Sequence, residues 1–297
     1  MRMKLVIVGP IGLLAGACGG PGIDDSDQRP GAFTEIDSGS GHTCGLRDDG
    51  GITCWGWNED GRSEASEGHF IQVSAGASHT CGVKDNGDVA CWGSNDEGES
   101  NAPSGKFSSV SAGSNHSCAL AEDGTVECWG SNIHGQIDPP GGTFTAISAG
   151  AVHNCGLRED GSATCWGNDS SGQADPSDGP FTLISSGLQH TCALRESGLA
   201  ACWGPRLPGI SYPPDGTFSS IRTGDRHACG LREDSQVECW GSNQEGQANP
   251  PSGEFHTVSA GGGHTCGLTA RETIACWGHD DRGQSTPPIE EAETGEG

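Results

Sequence analysis

The chain has 297 residues, with 15 Lys and Arg against 40 Asp and Glu, a net charge of −25, 32% hydrophobic and 5% aromatic residues, 51 glycines and 16 prolines. So little apolar material argues against one thick core and for many short strands joined by glycine turns. The acidic surface repels a phosphate backbone, which argues against nucleic acid as a partner.

Arg2 and Lys4 precede a short apolar run from Leu5 to Leu14, broken by Gly9, Pro10 and Gly12. A bilayer-spanning helix needs roughly 20 apolar residues, so this run reads as a targeting segment and not an anchor. It ends in "LLAGAC", residues 13–18, which resembles the lipobox of bacterial lipoproteins, with Ala15 where leucine is commoner. The resemblance implies cleavage after Ala17 and acylation of Cys18. Residues 1–17 are then a lipoprotein signal peptide and 18–32 a flexible polar tether. The chain is expected in the cell envelope, lipid-anchored at the outer membrane or cell surface. An ordinary signal peptide would also export it, to a compartment where disulfides persist.

From residue 33 the chain repeats itself. Besides Cys18, its fifteen cysteines form seven pairs ten residues apart: Cys44 and Cys54, Cys81 and Cys91, Cys118 and Cys128, Cys155 and Cys165, Cys192 and Cys202, Cys229 and Cys239, Cys266 and Cys276. Each pair starts 37 residues after the last. The seven phenylalanines keep the same step, from Phe33 to Phe255. A histidine stands two residues before each first cysteine, from His42 to His264, and a tryptophan after each second one, from Trp55 to Trp277. Four residue types in phase across seven copies define a repeat protein.

Alternation in "FTAIS", "VHNCGL" and "SATCW" is strand-like, and "EDG" at 122–124 suits a three-residue hairpin loop closed by a glycine at positive φ. A loop of odd length centred on Asp123 pairs Ala121 with Thr125 and sets Cys118 opposite Cys128, within bridging range. One disulfide per hairpin closes about eleven residues and is worth roughly 2.5–3 kcal/mol. A zinc site built from His42, Cys44 and Cys54 is the rival. Structural zinc takes four ligands at closer cysteine spacing, so no metal is expected.

Seven like units without distinct end caps fit a closed ring: an all-β, seven-bladed β-propeller of 37-residue repeats over residues 33–288, with one disulfide inside each blade. Periodicity leaves open which strand closes the ring. The pattern S-A-G-x-x-H-T-C-G-L-x-x-D-G-x-V-x-C-W-G-x-N-x-x-G-Q resembles the repeat of the regulator of chromosome condensation family. It departs in its cysteine pairs and in a period shorter than the family's unit of about fifty residues. Compact bacterial versions, including secreted propellers that inhibit β-lactamases, are similar. The resemblance implies the propeller and no single activity.

The histidines read as scaffold residues that bond backbone in their own blade, and the tryptophans as packing between blades. Turn acids such as Asp49, Asp123 and Asp160 read as turn formers. No catalytic motif stands out, and no cofactor is implied. The informative positions are those where one copy breaks the rule of the others. In "CWGPRLPGISYPP", residues 202–214, Arg206 replaces Asn or Asp, Leu207 follows, Ile210 stands where four repeats have Gln, and Tyr212 is the chain's one tyrosine. The next repeat adds Arg222 and Arg226, and the first adds Trp57. Tyr, Trp and Arg dominate binding hot spots, so these seven residues are the candidate partner-binding set.

The expectation is a monomeric, non-enzymatic binding scaffold for a protein or cell-envelope partner, held to the membrane through the lipid on Cys18. An inhibitor of a secreted enzyme is a special case of it, and a propeller-based hydrolase or lyase is the alternative. Export and acidity argue against guanine-nucleotide exchange. The acidic tail, residues 289–297, reads as a solvated end.

Overall fold

The computed structural model describes residues 31–205, 210 and 212–288. The signal peptide, Cys18 and most of the tether, Arg206, Leu207 and the acidic tail lie outside the described residues.

Seven three-stranded antiparallel sheets follow one another in sequence order. In blade 1 the inner strand is Phe33–Ser38, the middle strand His42–Arg47 and the outer strand Ile52–Gly56. The other six blades copy this order at the 37-residue step. The structure is therefore the expected seven-bladed propeller. Among the described residues each blade draws all three strands from one repeat, so no strand is exchanged to close the ring.

The hairpins form as their turns dictate. Ala121 N–H bonds the Thr125 carbonyl at 2.8 Å and Gly124 N–H bonds the Ala121 carbonyl at 3.0 Å. Gly124 holds a φ of 84°, in the left-handed region that a side chain resists. Cys118 then faces Cys128 in register. All seven pairs are disulfides within their own blade, which belongs to an oxidising, extracellular setting.

The core is distributed among the seams between blades. On the middle strand His42 and Cys44 alternate onto the face toward the next blade, and Thr43 onto the face toward the previous one. Cys44 and Leu46 accordingly pack with Phe70, Val73 and Trp92 of blade 2. The same cluster recurs at other seams, where each tryptophan lies against the cysteine of the blade before it. After each outer strand the chain crosses to its neighbour: Trp92 Nε1–H donates to the Arg62 carbonyl at 3.0 Å and Trp129 Nε1–H to that of Glu99 at 2.8 Å. At the last seam Trp55 Nε1–H donates to the Gln284 carbonyl at 3.0 Å, so the tail of repeat 7 clasps blade 1 and closes the ring.

Candidate functional site

The inner strands surround an axial channel. At one end it is drawn in by a collar of glycines, Gly39 and its six equivalents. A Cβ placed on Gly39 would stand 2.2 Å from the Gly76 carbonyl, and one on Gly261 would stand 2.4 Å from the Gly39 carbonyl. Only glycine permits that approach, and the last contact runs from blade 7 to blade 1.

Behind the collar the channel widens to a cavity of about 320 Å³. One position on each inner strand forms a ring inside it: Ser74, Ser111, Ser148, Ser185 and Ser259 in five blades, Asp37 in blade 1 and Arg222 in blade 6. The serine hydroxyls accept hydrogen bonds from the next blade's backbone. Ala112 N–H reaches Ser74 Oγ at 3.1 Å, Ala149 N–H reaches Ser111 Oγ at 2.9 Å, and Ser38 N–H reaches Ser259 Oγ at 2.9 Å. Asp37 does the same work through Oδ2, which accepts from Ala75 N–H at 2.8 Å. Its Oδ1 accepts from the Ser259 hydroxyl at 3.0 Å. Arg222 has no acceptor to offer, and its Nη1–H turns back to the Ile221 carbonyl at 3.0 Å.

Two residues before Asp37, Glu35 also lines the cavity. Burial pushes its carboxyl up to about 8, the Asp37 charge adds to this, and Arg222 and the Val73 amide oppose it. Burial likewise raises Asp37, against the Ala75 amide and Arg222. The equivalent of Glu35 in blade 2 is Gln72. Its amide donates to the Val110 carbonyl at 3.0 Å and accepts from Val110 N–H at 2.8 Å.

The seven histidines are fully buried at the seams, and their partners differ from the expected own-blade backbone. His42 Nε2 meets the Thr80 hydroxyl of the next blade at 2.7 Å. Thr80 gives its one hydrogen to the Arg62 carbonyl at 3.0 Å, so the imidazole nitrogen is the donor. Ser117, Asn154, Thr191, Thr265 and Thr43 serve His79, His116, His153, His227 and His264 in the same way. The histidine face of each middle strand looks at the neighbouring blade, which is why the partner lies there. At His190 the partner position is Ala228, and His190 Nε2 is buried without a hydrogen-bond partner. Burial lowers all seven imidazoles, His42, His153 and His227 to about 3 and His79, His116, His190 and His264 to about 4. Among the described residues no cluster of His, Cys, Asp or Glu is arranged to hold a metal.

The residues singled out by repeat comparison fall in three places. Trp57 lies half-buried at the seam of blades 7 and 1, its ring 4.4 Å from the Arg62 guanidinium and 4.8 Å from that of Arg282. Ile210 is buried, and its carbonyl accepts from Trp240 Nε1–H at 3.2 Å, while Tyr212 is 63% exposed. Arg226 is exposed in the turn that supplies Gly224 and Asp225 to the collar. Arg222 faces inward, into the channel. Ile210, Tyr212 and Arg226 thus belong to the sector of blades 5 and 6, and Trp57 and Arg222 stand apart from it. Glu35 and Asp37 were missed. Their signal was present: Asp37 and Arg222 are the two departures from serine in one column of the repeat.

The regulator of chromosome condensation (RCC1) repeat matches residues 33–62, 70–99, 107–136, 144–173, 218–247 and 255–284. The chain belongs to that family. The unmatched copy is the fifth repeat, where Ile210 breaks the pattern. Among solved structures, the ectodomain of the receptor kinase CR4 from Physcomitrella patens is similar at 26% identity and a TM-score of 0.72, over 84% of this chain and 74% of that one. The CRINKLY WD40 ectodomain of the Arabidopsis thaliana receptor kinase ACR4 is similar at 26% identity and a TM-score of 0.70, over 84% and 98%. Prp20p from Saccharomyces cerevisiae shares the fold, with 16% identity and a TM-score of 0.67 over 81% and 84%. Among curated proteins no sequence matches.

Proposed function

We propose that this RCC1-repeat propeller is an exported, non-catalytic scaffold that binds a protein or cell-envelope partner and is held to the membrane by a lipid on Cys18. In this reading residues 1–17 are the signal peptide, 18–32 the tether, 33–288 the binding domain and 289–297 a solvated tail. One observation carries the binding role. In the sector where the repeat breaks, the exposed Tyr212 and Arg226 stand out on a chain of net charge −25. An aromatic and a guanidinium are the side chains that anchor protein interfaces.

The family supports a protein partner. Prp20p was characterised for its binding to Gsp1p and histones, and yeast RCC1 (Prp20) was crystallised bound to Kap60. Export is supported by the seven disulfides and by two similar structures that are ectodomains of receptor kinases. The test is parallel capture from envelope extract with the intact protein and with the Tyr212→Ala/Arg226→Ala variant. The variant should lose a protein that the intact chain retains, and equal capture would refute the site. Labelled palmitate should enter the wild type and not Cys18→Ser; label in neither would remove the lipid anchor.

A further inference from the structure

The axial channel carries charge that the propeller itself does not need. Serine suffices at the ring position in five blades, where its hydroxyl accepts the next blade's N–H. Asp37 adds a charge to that work, and Arg222 abandons it. Among the described residues Arg222 forms no ion pair, although it is close enough to Glu35 and Asp37 to favour their ionised forms. A half-buried guanidinium with no described carboxylate at ion-pair distance costs stability that serine would not cost. The acids sit on blade 1 and the cation on blade 6, with blade 7 between them, and all three line one cavity of about 320 Å³. That volume is within the roughly 300–1,000 Å³ of small-molecule sites.

We propose that the channel binds a small zwitterion of the amino-acid class, its carboxylate on the Arg222 guanidinium and its ammonium on Asp37 and Glu35. The planar fork of Arg222 presents paired donors to a carboxylate. Two blades round the ring, Asp37 and Glu35 present acceptor oxygens to the three hydrogens of an ammonium. Glu35, Asp37 and Arg222 are the ionisable groups among the described residues lining the cavity, and its other lining is serine, threonine, glutamine and aliphatic residues. Burial disfavours the charged form of both acids, and an ammonium against them compensates that cost. The ligand therefore completes the arrangement from both ends.

Thermal shift and calorimetry on the intact, oxidised protein with each common α-amino acid test this. At least one should bind and raise the melting temperature. Its amine analogue without the carboxylate and its hydroxy-acid analogue without the ammonium should each bind at least tenfold more weakly. Arg222→Ser and Asp37→Ser install the residue of five other blades, so both should fold and lose binding at least tenfold. If Arg222→Ser does not fold, Arg222→Lys, which keeps the charge and loses the fork, should still bind several-fold more weakly. The proposal is overturned if no amino acid binds, if the folded variants bind as the wild type does, or if either analogue matches its parent amino acid. A matching amine would make the channel a cation site, and a matching hydroxy acid an anion site.

Discussion

At the seam between blades 1 and 2, His42 Nε2–H bonds the Thr80 hydroxyl at 2.7 Å, and Thr80 bonds the Arg62 carbonyl at 3.0 Å. At the seam between blades 5 and 6, Ala228 replaces the hydroxyl, His190 Nε2 has no partner and the Ile210 carbonyl receives no such bond. Yet both seams keep the same apolar packing: Cys192, Leu194, Phe218, Ile221, Ala228 and Trp240 at the second match the cluster at the first. The difference shows that interdigitated side chains hold neighbouring blades together, while the histidine relay adds polar satisfaction and fixes alignment. It also singles out the blade 5–6 seam as the one, among the described residues, whose histidine Nε2 lacks a hydrogen-bond partner, in the sector with the exposed Tyr212.

Acid should stress this comparison most. All seven imidazoles are held neutral, with folded values of about 3 to 4 against an ordinary 6.5. The unfolded chain therefore binds more protons than the folded one across that window. Stability is fully present above pH 6.5 and is lost as pH falls toward 4 and 3. Midway, each histidine contributes a slope of about 1.4 kcal/mol per pH unit. Glu35, raised to about 8, has the opposite sign: its contribution is present below 4.5 and lost as pH rises through 8. Asp37 and Asp225, also raised by burial, act in the same sense as Glu35. Seven histidines outweigh three acids, so the net response is acid unfolding, read by circular dichroism. Hydrogen exchange at pH 5 should show the strands flanking the blade 5–6 seam opening first. First opening at the seam of blades 1 and 2 would contradict the contrast.

Removing one hairpin staple comes next. Cys118→Ala/Cys128→Ala should cost roughly 2.5–3 kcal/mol in chemical denaturation, and Cys192→Ala/Cys202→Ala should cost the same, since the staple acts within a blade. Smaller still, Thr80→Ala copies the blade 5–6 condition onto an intact seam. It leaves His42 without its acceptor and should cost about 1–3 kcal/mol. The smallest effect is a gain. Ala228→Thr should restore the missing relay to His190 and the Ile210 carbonyl and stabilise by about 0.5–1.5 kcal/mol, seen as a rise in melting temperature. No gain there would mean that the seam has relaxed around its alanine.

The hairpins were legible from residue order because their determinants are local. The parity of the loop around Asp123 and the ten-residue cysteine spacing both specify the pairing of Cys118 with Cys128. The partner of His42 was not legible. Own-blade backbone is the local answer, whereas Thr80 belongs to the next blade and meets His42 only when two middle strands pack face to face. Arg222 likewise reads as a surface cation beside Arg226, since both break the same repeat. Strand alternation sends Arg222 into the channel and leaves Arg226 in a turn.

Sequence alone determined the repeat, its strands and turns, the disulfide partners and the family, because each depends on spacings within about forty residues that recur seven times. Only the tertiary structure decided that blades meet without exchanging a strand, that six histidines bond across seams while His190 does not, and that Glu35, Asp37 and Arg222 share one cavity. Those outcomes depend on closing the ring, which brings residues from opposite ends of the chain to a common axis. Periodicity can announce such closure but cannot say which side chains it will bring face to face.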